Sequence, residues 1–224
     1  MRQAPGLALD HLVVAARSLA EGLDWCEASF GLRPAAGGQH GFMGTHNRVF
    51  SIASAAFPRA YLEIIAIDPG LPAPGRPRWF DLDDPALQRT LAHGPRLVHW
   101  AARCSDIAAA HAALLAAGVD CGEVQHAERA TPRGVLRWQI SVPADGRRPL
   151  GGAGPALIEW GAVHPSDAMD DTSVAILTLR LSGWPEALAA WLPDSIGPDG
   201  GAGAPALVAV LSGPCGAVTL QSPD

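Results

Sequence analysis

Leu9-Asp10-His11-Leu12-Val13-Val14 sets one imidazole in a largely apolar run, the pattern of a strand covered on both faces. Ser18-Leu19-Ala20-Glu21 follows as a capping box and opens a helix to about Ser29, closed by Gly31. Strands are predicted next at 46–53 and 60–67, joined by a short Pro-containing turn, with a Gly-rich stretch at 37–44 holding a short strand near its end. The last of these runs, Tyr61-Leu62-Glu63-Ile64-Ile65, again buries one ionisable residue among apolar neighbours. A unit of strand, helix and strands therefore ends at Asp68-Pro69-Gly70.

Pro69, Pro72, Pro74 and Pro77 mark a semi-rigid connector, followed by Arg78-Trp79-Phe80 and a helix-like 84–93. The pattern then begins again. Arg96-Leu97-Val98-His99-Trp100 opens a strand over 96–103, a helix spans about Asp106 to Ala117, and strands follow at 119–124, 134–142 and 155–162. Ala156-Leu157-Ile158-Glu159-Trp160 closes the second unit as Glu63 closes the first. A third unit of strand, helix and hairpin is predicted from 174–182, 184–192, 206–212 and 216–221, without His or Glu at the matching positions.

The chain has 224 residues, 48% hydrophobic and 17% charged, enough apolar surface for a packed core and too little charge for disorder. A formal charge of −6 with no Lys/Arg block argues against nucleic-acid and anionic-membrane partners. No apolar run approaches the roughly 20 residues of a membrane span. Met1-Arg2-Gln3-Ala4-Pro5-Gly6 lacks a signal-peptide core, so a cytoplasmic location is expected. Cys26, Cys104, Cys121 and Cys215 show no metal-knuckle spacing and read as free thiols.

A carboxylate or imidazole in the middle of an apolar strand is costly to bury without a partner. Two imidazoles and two carboxylates are also a ligand set that a divalent cation accepts. Side chains alternate faces along a strand, so Leu9, His11 and Val13 are expected on one face, as are Tyr61, Glu63 and Ile65, and likewise Leu157, Glu159 and Gly161. If each unit packs a helix on one face, the other becomes the inside of a cup, and a pseudo-twofold brings His11, Glu63, His99 and Glu159 to one centre.

The residues Leu9–Val14, Gly44-Thr45-His46-Asn47, Tyr61–Ala66, Arg78-Trp79-Phe80 and Ile158-Glu159-Trp160-Gly161 resemble the vicinal oxygen chelate superfamily, and more narrowly its glyoxalase-like domain proteins. The resemblance covers about residues 7–163. It implies an α+β fold of paired βαβββ modules, at about 7–68 and 96–163, forming a curved mixed-sheet cup. The connector spans 69–95, and residues 164–224 add a C-terminal βαββ unit. It implies His11, Glu63, His99 and Glu159 as ligands of a divalent metal ion (Zn, Ni, Mn, Co or Fe). The expected activity is that of a lyase or isomerase abstracting a proton from a small oxygen-chelating metabolite, with Glu159 as first choice of base and Glu63 as second. The alternatives are an extradiol-type Fe(II) dioxygenase and a metal-free protein that sequesters a small molecule. Monomer and homodimer both suit two modules in one chain.

His46 is expected at the cup rim as an acid, base or substrate contact, beside Asn47 in the pocket. Trp138 and Arg137 are expected to line the same pocket, Arg137 with Arg147 and Arg148 meeting an anionic substrate group. Trp100 and Trp160 are expected to pack against the helices. His40, His93, His111, His126 and His164 are read as surface residues.

Overall fold

A computed structural model describes residues 6–131, 134–199 and 206–223. The first module runs β1 (Ala8–Ala15), α1 (Leu19–Phe30), β2 (Gly37–His40), β3 (Thr45–Ser51) and β4 (Tyr61–Ile67). A short helix α2 (Pro85–Leu91) ends the connector, and the second module runs β5 (Arg96–Arg103), α3 (Ile107–Ala116), β6 (Glu123–Thr131), β7 (Gly134–Val142) and β8 (Ala156–Trp160). These strands form one mixed sheet in the order β2-β3-β4-β1-β5-β8-β7-β6. In each module the first strand pairs parallel with the last, β1 with β4 and β5 with β8, and the modules join through antiparallel β1 and β5. That is the paired-module architecture expected from the sequence.

Local signals set both helices. Ser18 accepts the Glu21 N–H at 3.2 Å and Gly31 closes α1 in the left-handed region at φ 69. Asp106 caps α3 by accepting the Ala109 N–H at 2.9 Å.

The β1/β5 junction is not a regular ladder. Leu9 lies opposite Ala102 and His11 opposite Ala101, so Asp10 is an extra residue in β1. Val13 lies opposite His99 and Val14 opposite Leu97, so Val98 is the matching extra residue in β5. These two bulges fix the pseudo-twofold: Asp10 corresponds to Val98, His11 to His99, and Val13 to Ala101. They also break the alternation on which the sequence reading relied. Leu9 joins the helix-side core with Leu12, Val14 and Trp100, whereas Val13 joins the cup-side core with Ile65, Val98 and Ala101.

The remaining segment is β9 (Ala175–Ser182), a single 3-10 stretch at Glu186–Trp191, β10 (Ile196–Asp199), β11 (Leu207–Gly213) and β12 (Gly216–Gln221). The predicted helix over 184–192 is thus only a short turn, bounded by Pro185 and Pro193, and β10 is a strand more than expected. The order β10-β9-β11-β12 places the first strand in the interior, beside β10 and β11, unlike either module. Ile176, Leu179, Leu181, Leu207, Ala209 and Leu211 pack into the same core as Leu97, Trp100 and Leu157. The second sheet therefore covers the helix side of the large sheet and leaves the cup alone. Among the described residues no helix is long and apolar enough to cross a membrane.

Candidate functional site

The large sheet curls until its edge strands β2 and β6 approach each other: a Cβ built at Gly38 would run into the Arg129 guanidinium. The cavity that the sheet forms is partly open, with a volume of about 50 Å³. Its lining falls into two halves. From the first module come His11, His40, Asn47, Tyr61 and Glu63; from the second come Leu136, Trp138, Ile140, Ile158 and Trp160, with Arg129 as the only Arg or Lys among the described lining residues. Trp79 and Phe80 close the cavity from the connector, stacked on each other at 5.0 Å. Phe80 and Asp81 have φ of 61 and 58, a strained backbone for such residues, which Asp81 stabilises by accepting from Arg148 Nε at 2.6 Å.

The polar half is a chain of hydrogen bonds built around the first bulge. The extra residue turns Asp10 toward His11, so that His11 Nδ1 meets Asp10 Oδ1 at 2.8 Å. Asp10 is fully buried and serves further partners. Trp160 Nε1 donates to it at 3.1 Å, Tyr61 donates its hydroxyl, and His164 Nε2 stands 2.9 Å from Oδ2. The Ser166 N–H donates to His164 Nδ1 at 3.1 Å, so Nε2 carries the proton that His164 gives Asp10. Burial alone would raise the Asp10 pKa, but the hydrogen bonds from His11 and His164 outweigh it and hold the carboxyl well below its ordinary value. Asp10 is therefore ionised and accepts a hydrogen bond from the His11 Nδ1–H, leaving His11 Nε2 to face Glu63 Oε2 at 3.6 Å. Tyr61 stacks on the His11 ring at 4.6 Å and limits its rotation.

Glu63 is 5% exposed. Its Oε1 accepts the Asn47 side-chain N–H at 2.6 Å, and Asn47 Oδ1 accepts the Gly38 N–H at 2.8 Å, which sets the amide orientation. His40 closes the ring: Nε2 lies 4.0 Å from Glu63 Oε1 and Nδ1 is 3.1 Å from Thr45 Oγ1. Burial pushes the His40 pKa down to about 4, against the pull of Glu63, so its imidazole is neutral at physiological pH.

The structure places the residues expected at the site as follows. Of the four residues paired as ion ligands, His11 and Glu63 are brought together. His99 faces the cup side opposite Val13, but it lies beneath Phe80 at 5.0 Å and its Nδ1 has no hydrogen-bond partner. Burial, with Arg148 and His11 nearby, pushes its pKa down to about 3. Glu159 points away from the cup: its Oε2 accepts the Ile107 N–H at 2.7 Å and finishes the cap of α3. The register explains why. Val13 lies opposite Glu63, and Ala101, the counterpart of Val13, lies opposite Ala156, so Ala156 stands where a second carboxylate would. Among the described residues no group of three or more His, Cys, Asp or Glu side chains is placed to hold a metal ion. The donors do not fit the four-ligand ion that the resemblance implies.

Asn47 and Trp138 line the cavity, whereas their strand neighbours His46 and Arg137 face the other way. His46 Nδ1 lies 3.4 Å from Asp68 outside the cup, and Arg137 pairs with Glu128 at 3.1 Å on the outer surface. Trp160 faces the cup and packs on Trp138 at 5.5 Å, while Trp100 is buried on the helix side and donates to Ala153 O at 3.0 Å. His40 and His164, expected at the surface, are buried at 7% and 4% exposure, and the sequence gives Asp10 and Arg129 no role of their own. For Arg129 a signal existed: Trp138 pairs with Ala127 across the β6/β7 hairpin, which puts Arg129, not Arg137, on the Trp138 face.

A family model described as "Glyoxalase-like domain" matches residues 9–196. No curated protein matches the chain. A solved structure of a hypothetical protein from Staphylococcus aureus is similar over 97% of this chain and 87% of that one, at 14% identity and a TM-score of 0.57, a likeness of fold. Methylmalonyl-CoA epimerase from Streptomyces coelicolor, solved in complex with 2-nitronate-propionyl-CoA, is 21% identical over 71% of this chain and 99% of that one, with a TM-score of 0.43. The Mycobacterium tuberculosis methylmalonyl-CoA epimerase is 17% identical over 71% and 91%, with a TM-score of 0.42.

Proposed function

The chain belongs to the glyoxalase-like domain family, and we propose that its cup moves a proton at a carbon next to a carbonyl of a small molecule, as an isomerase does, with Glu63 as the base. The observation that carries this reading is the Asp10–His11–Glu63–Asn47 chain, which ends in a buried carboxylate at a cavity wall. A buried carboxylate that accepts one amide hydrogen bond, with two imidazoles near it, keeps lone-pair capacity for an incoming proton.

In the step proposed, a Glu63 oxygen takes the proton from the substrate carbon and the C–H electron pair moves onto the carbonyl oxygen, giving an enolate. His11, whose Nδ1 proton is held by ionised Asp10, is oriented to exchange a proton with Glu63 through Nε2. Return of the proton to the same or the neighbouring atom completes an isomerisation with no change in oxidation state. Asn47 fixes the carboxylate, Trp79 and Phe80 exclude water from the enolate, and His11 and Asp10 are positioning and proton-exchanging groups.

The test is deuterium incorporation from D₂O into a panel of small 2-oxo acids and hydroxyketones, followed by proton NMR. Wild-type protein is expected to accelerate exchange at the carbon beside the carbonyl. Glu63→Gln should lower that rate by about 100-fold or more, the usual contribution of a general base. Exchange within a few-fold of wild type in Glu63→Gln would remove Glu63 from the role; no wild-type exchange across the panel would sink the reading.

A further inference from the structure

We propose that the cup selects a small monocarboxylate with an apolar tail, and that Arg129 is the anchor for its carboxylate. The inference rests on the proton-transfer reading for what happens to the substrate, but the anion site stands on its own observations. Arg129 comes from the edge strand of the second module and crosses to the edge strand of the first. Its guanidinium occupies the space that any side chain at position 38 would fill. It lines the same cavity as His40, Asn47, Tyr61 and Glu63. Its strand neighbour Glu128 is spent on Arg137 outside the cup, and among the described residues no carboxylate pairs with Arg129. A half-buried guanidinium in a cavity, without a carboxylate partner, presents five donors in a planar fork that matches a carboxylate.

The rest of the lining narrows the ligand. Trp138, Trp160, Ile140, Ile158 and Leu136 form an apolar wall that fits a hydrocarbon tail. Glu63 in the same cavity disfavours a second negative charge on the ligand, which argues against dicarboxylates and phosphate esters. A volume of about 50 Å³ in a partly open cup admits a short ligand that reaches toward the opening and excludes bulky molecules. A short 2-oxo acid satisfies all three conditions: one carboxylate for Arg129, a carbonyl that acidifies the adjacent C–H, and a branched or straight apolar tail.

The probe is 3-methyl-2-oxobutanoate, with its methyl ester as the uncharged comparator, bound to the full chain by isothermal titration calorimetry. The acid is expected to bind wild type, and Arg129→Gln to weaken it by about 10- to 100-fold, the range of one charge-assisted bidentate contact. The ester should bind both proteins weakly and alike. Gly38→Val tests the same anchor without touching the arginine: it should displace the guanidinium and weaken the acid while sparing the ester. Equal affinity for acid and ester, unchanged affinity in Arg129→Gln, or no binding of the acid to wild type would each overturn the proposal. Deuterium exchange at the acid's branched carbon separates the two claims. Arg129-dependent binding without exchange keeps the anion site and removes the proton-transfer reading. Equally fast exchange of the ester keeps proton transfer and removes the anchor.

Discussion

The two modules share a fold and a bulge but not a chemistry. Each inserts one extra residue just before a cup-side histidine, Asp10 before His11 and Val98 before His99. In the first module that residue is a carboxylate, which accepts from the histidine Nδ1–H and aims Nε2 at Glu63. In the second it is an apolar side chain, the histidine Nδ1 is left without a partner, and Ala156 stands in the place of Glu63. The second module has instead supplied Trp138, Trp160 and Ile158 to the wall and Arg129 to the mouth. One backbone plan thus carries a polar half and an apolar half, to which the proposed function gives proton transfer and substrate binding. The identity of a single bulge residue decides whether a buried imidazole is oriented or merely accommodated.

The comparison breaks most visibly at the bulge residues themselves. Asp10→Leu removes the acceptor shared by His11, His164, Trp160 and Tyr61 and leaves two imidazoles, an indole N–H and a phenol hydroxyl short of a partner. Loss of one member of such a buried charged cluster costs about 3–5 kcal/mol. Val98→Ala removes only two methyl groups from a packed site and should cost roughly 1–2 kcal/mol. Urea denaturation of the two variants measures both. Equal losses would mean that the network around Asp10 carries no more stability than ordinary packing.

The strand pattern made the modules, the pairing of their first and last strands, and His11 with Glu63 legible, because an ionisable residue in an apolar strand stands out against its neighbours. What it hid were registers. A period of two counts faces correctly only along an unbroken strand, and both first strands are broken by a bulge that composition does not announce. Glu159 sits three residues beyond the position that corresponds to Glu63, an odd offset that turns it to the helix side. Arg137 beside Trp138 and His46 beside Asn47 were excluded from the same face by alternation alone, a constraint available in the sequence. His40 lay in a Gly-rich stretch and His164 beyond the second module, so neither had a periodic frame; only tertiary folding brings them to Glu63 and Asp10.

The histidines sharpen the comparison next. His11→Leu deprives ionised Asp10 of one hydrogen bond and should cost about 1–3 kcal/mol, whereas His99→Leu removes a buried unpartnered nitrogen and should be within about 1 kcal/mol of wild type. The pH dependence gives the second readout. Burial pushes the His99 pKa from 6.5 down to about 3, so below 6.5 the unfolded chain binds a proton that the folded chain refuses. The contribution is fully present above about 6.5 and is lost as the pH falls toward 3. His99→Leu should therefore flatten the acid limb of the stability profile, leaving the part that His40 supplies through its own fall from 6.5 to about 4. An unchanged acid limb in His99→Leu would show that its imidazole is not held neutral by burial.

The smallest effect expected is at Glu159. Its carboxylate finishes the N-terminus of α3 by accepting the Ile107 N–H, alongside Asp106 on the Ala109 N–H. Glu159→Ala should cost about 1 kcal/mol, the worth of one helix-capping contact, and should leave deuterium exchange and carboxylate affinity within about twofold of wild type, since its carboxylate is bonded on the helix side and does not line the cavity. Glu63 and Glu159 occupy the last strands of their modules and differ by which face they present. Loss of exchange in Glu63→Gln with its retention in Glu159→Ala would trace the functional difference between the modules to that parity. A loss of exchange in Glu159→Ala at undiminished stability would place a proton-transfer role on the helix side of the sheet and undo the division into a reacting and a binding half.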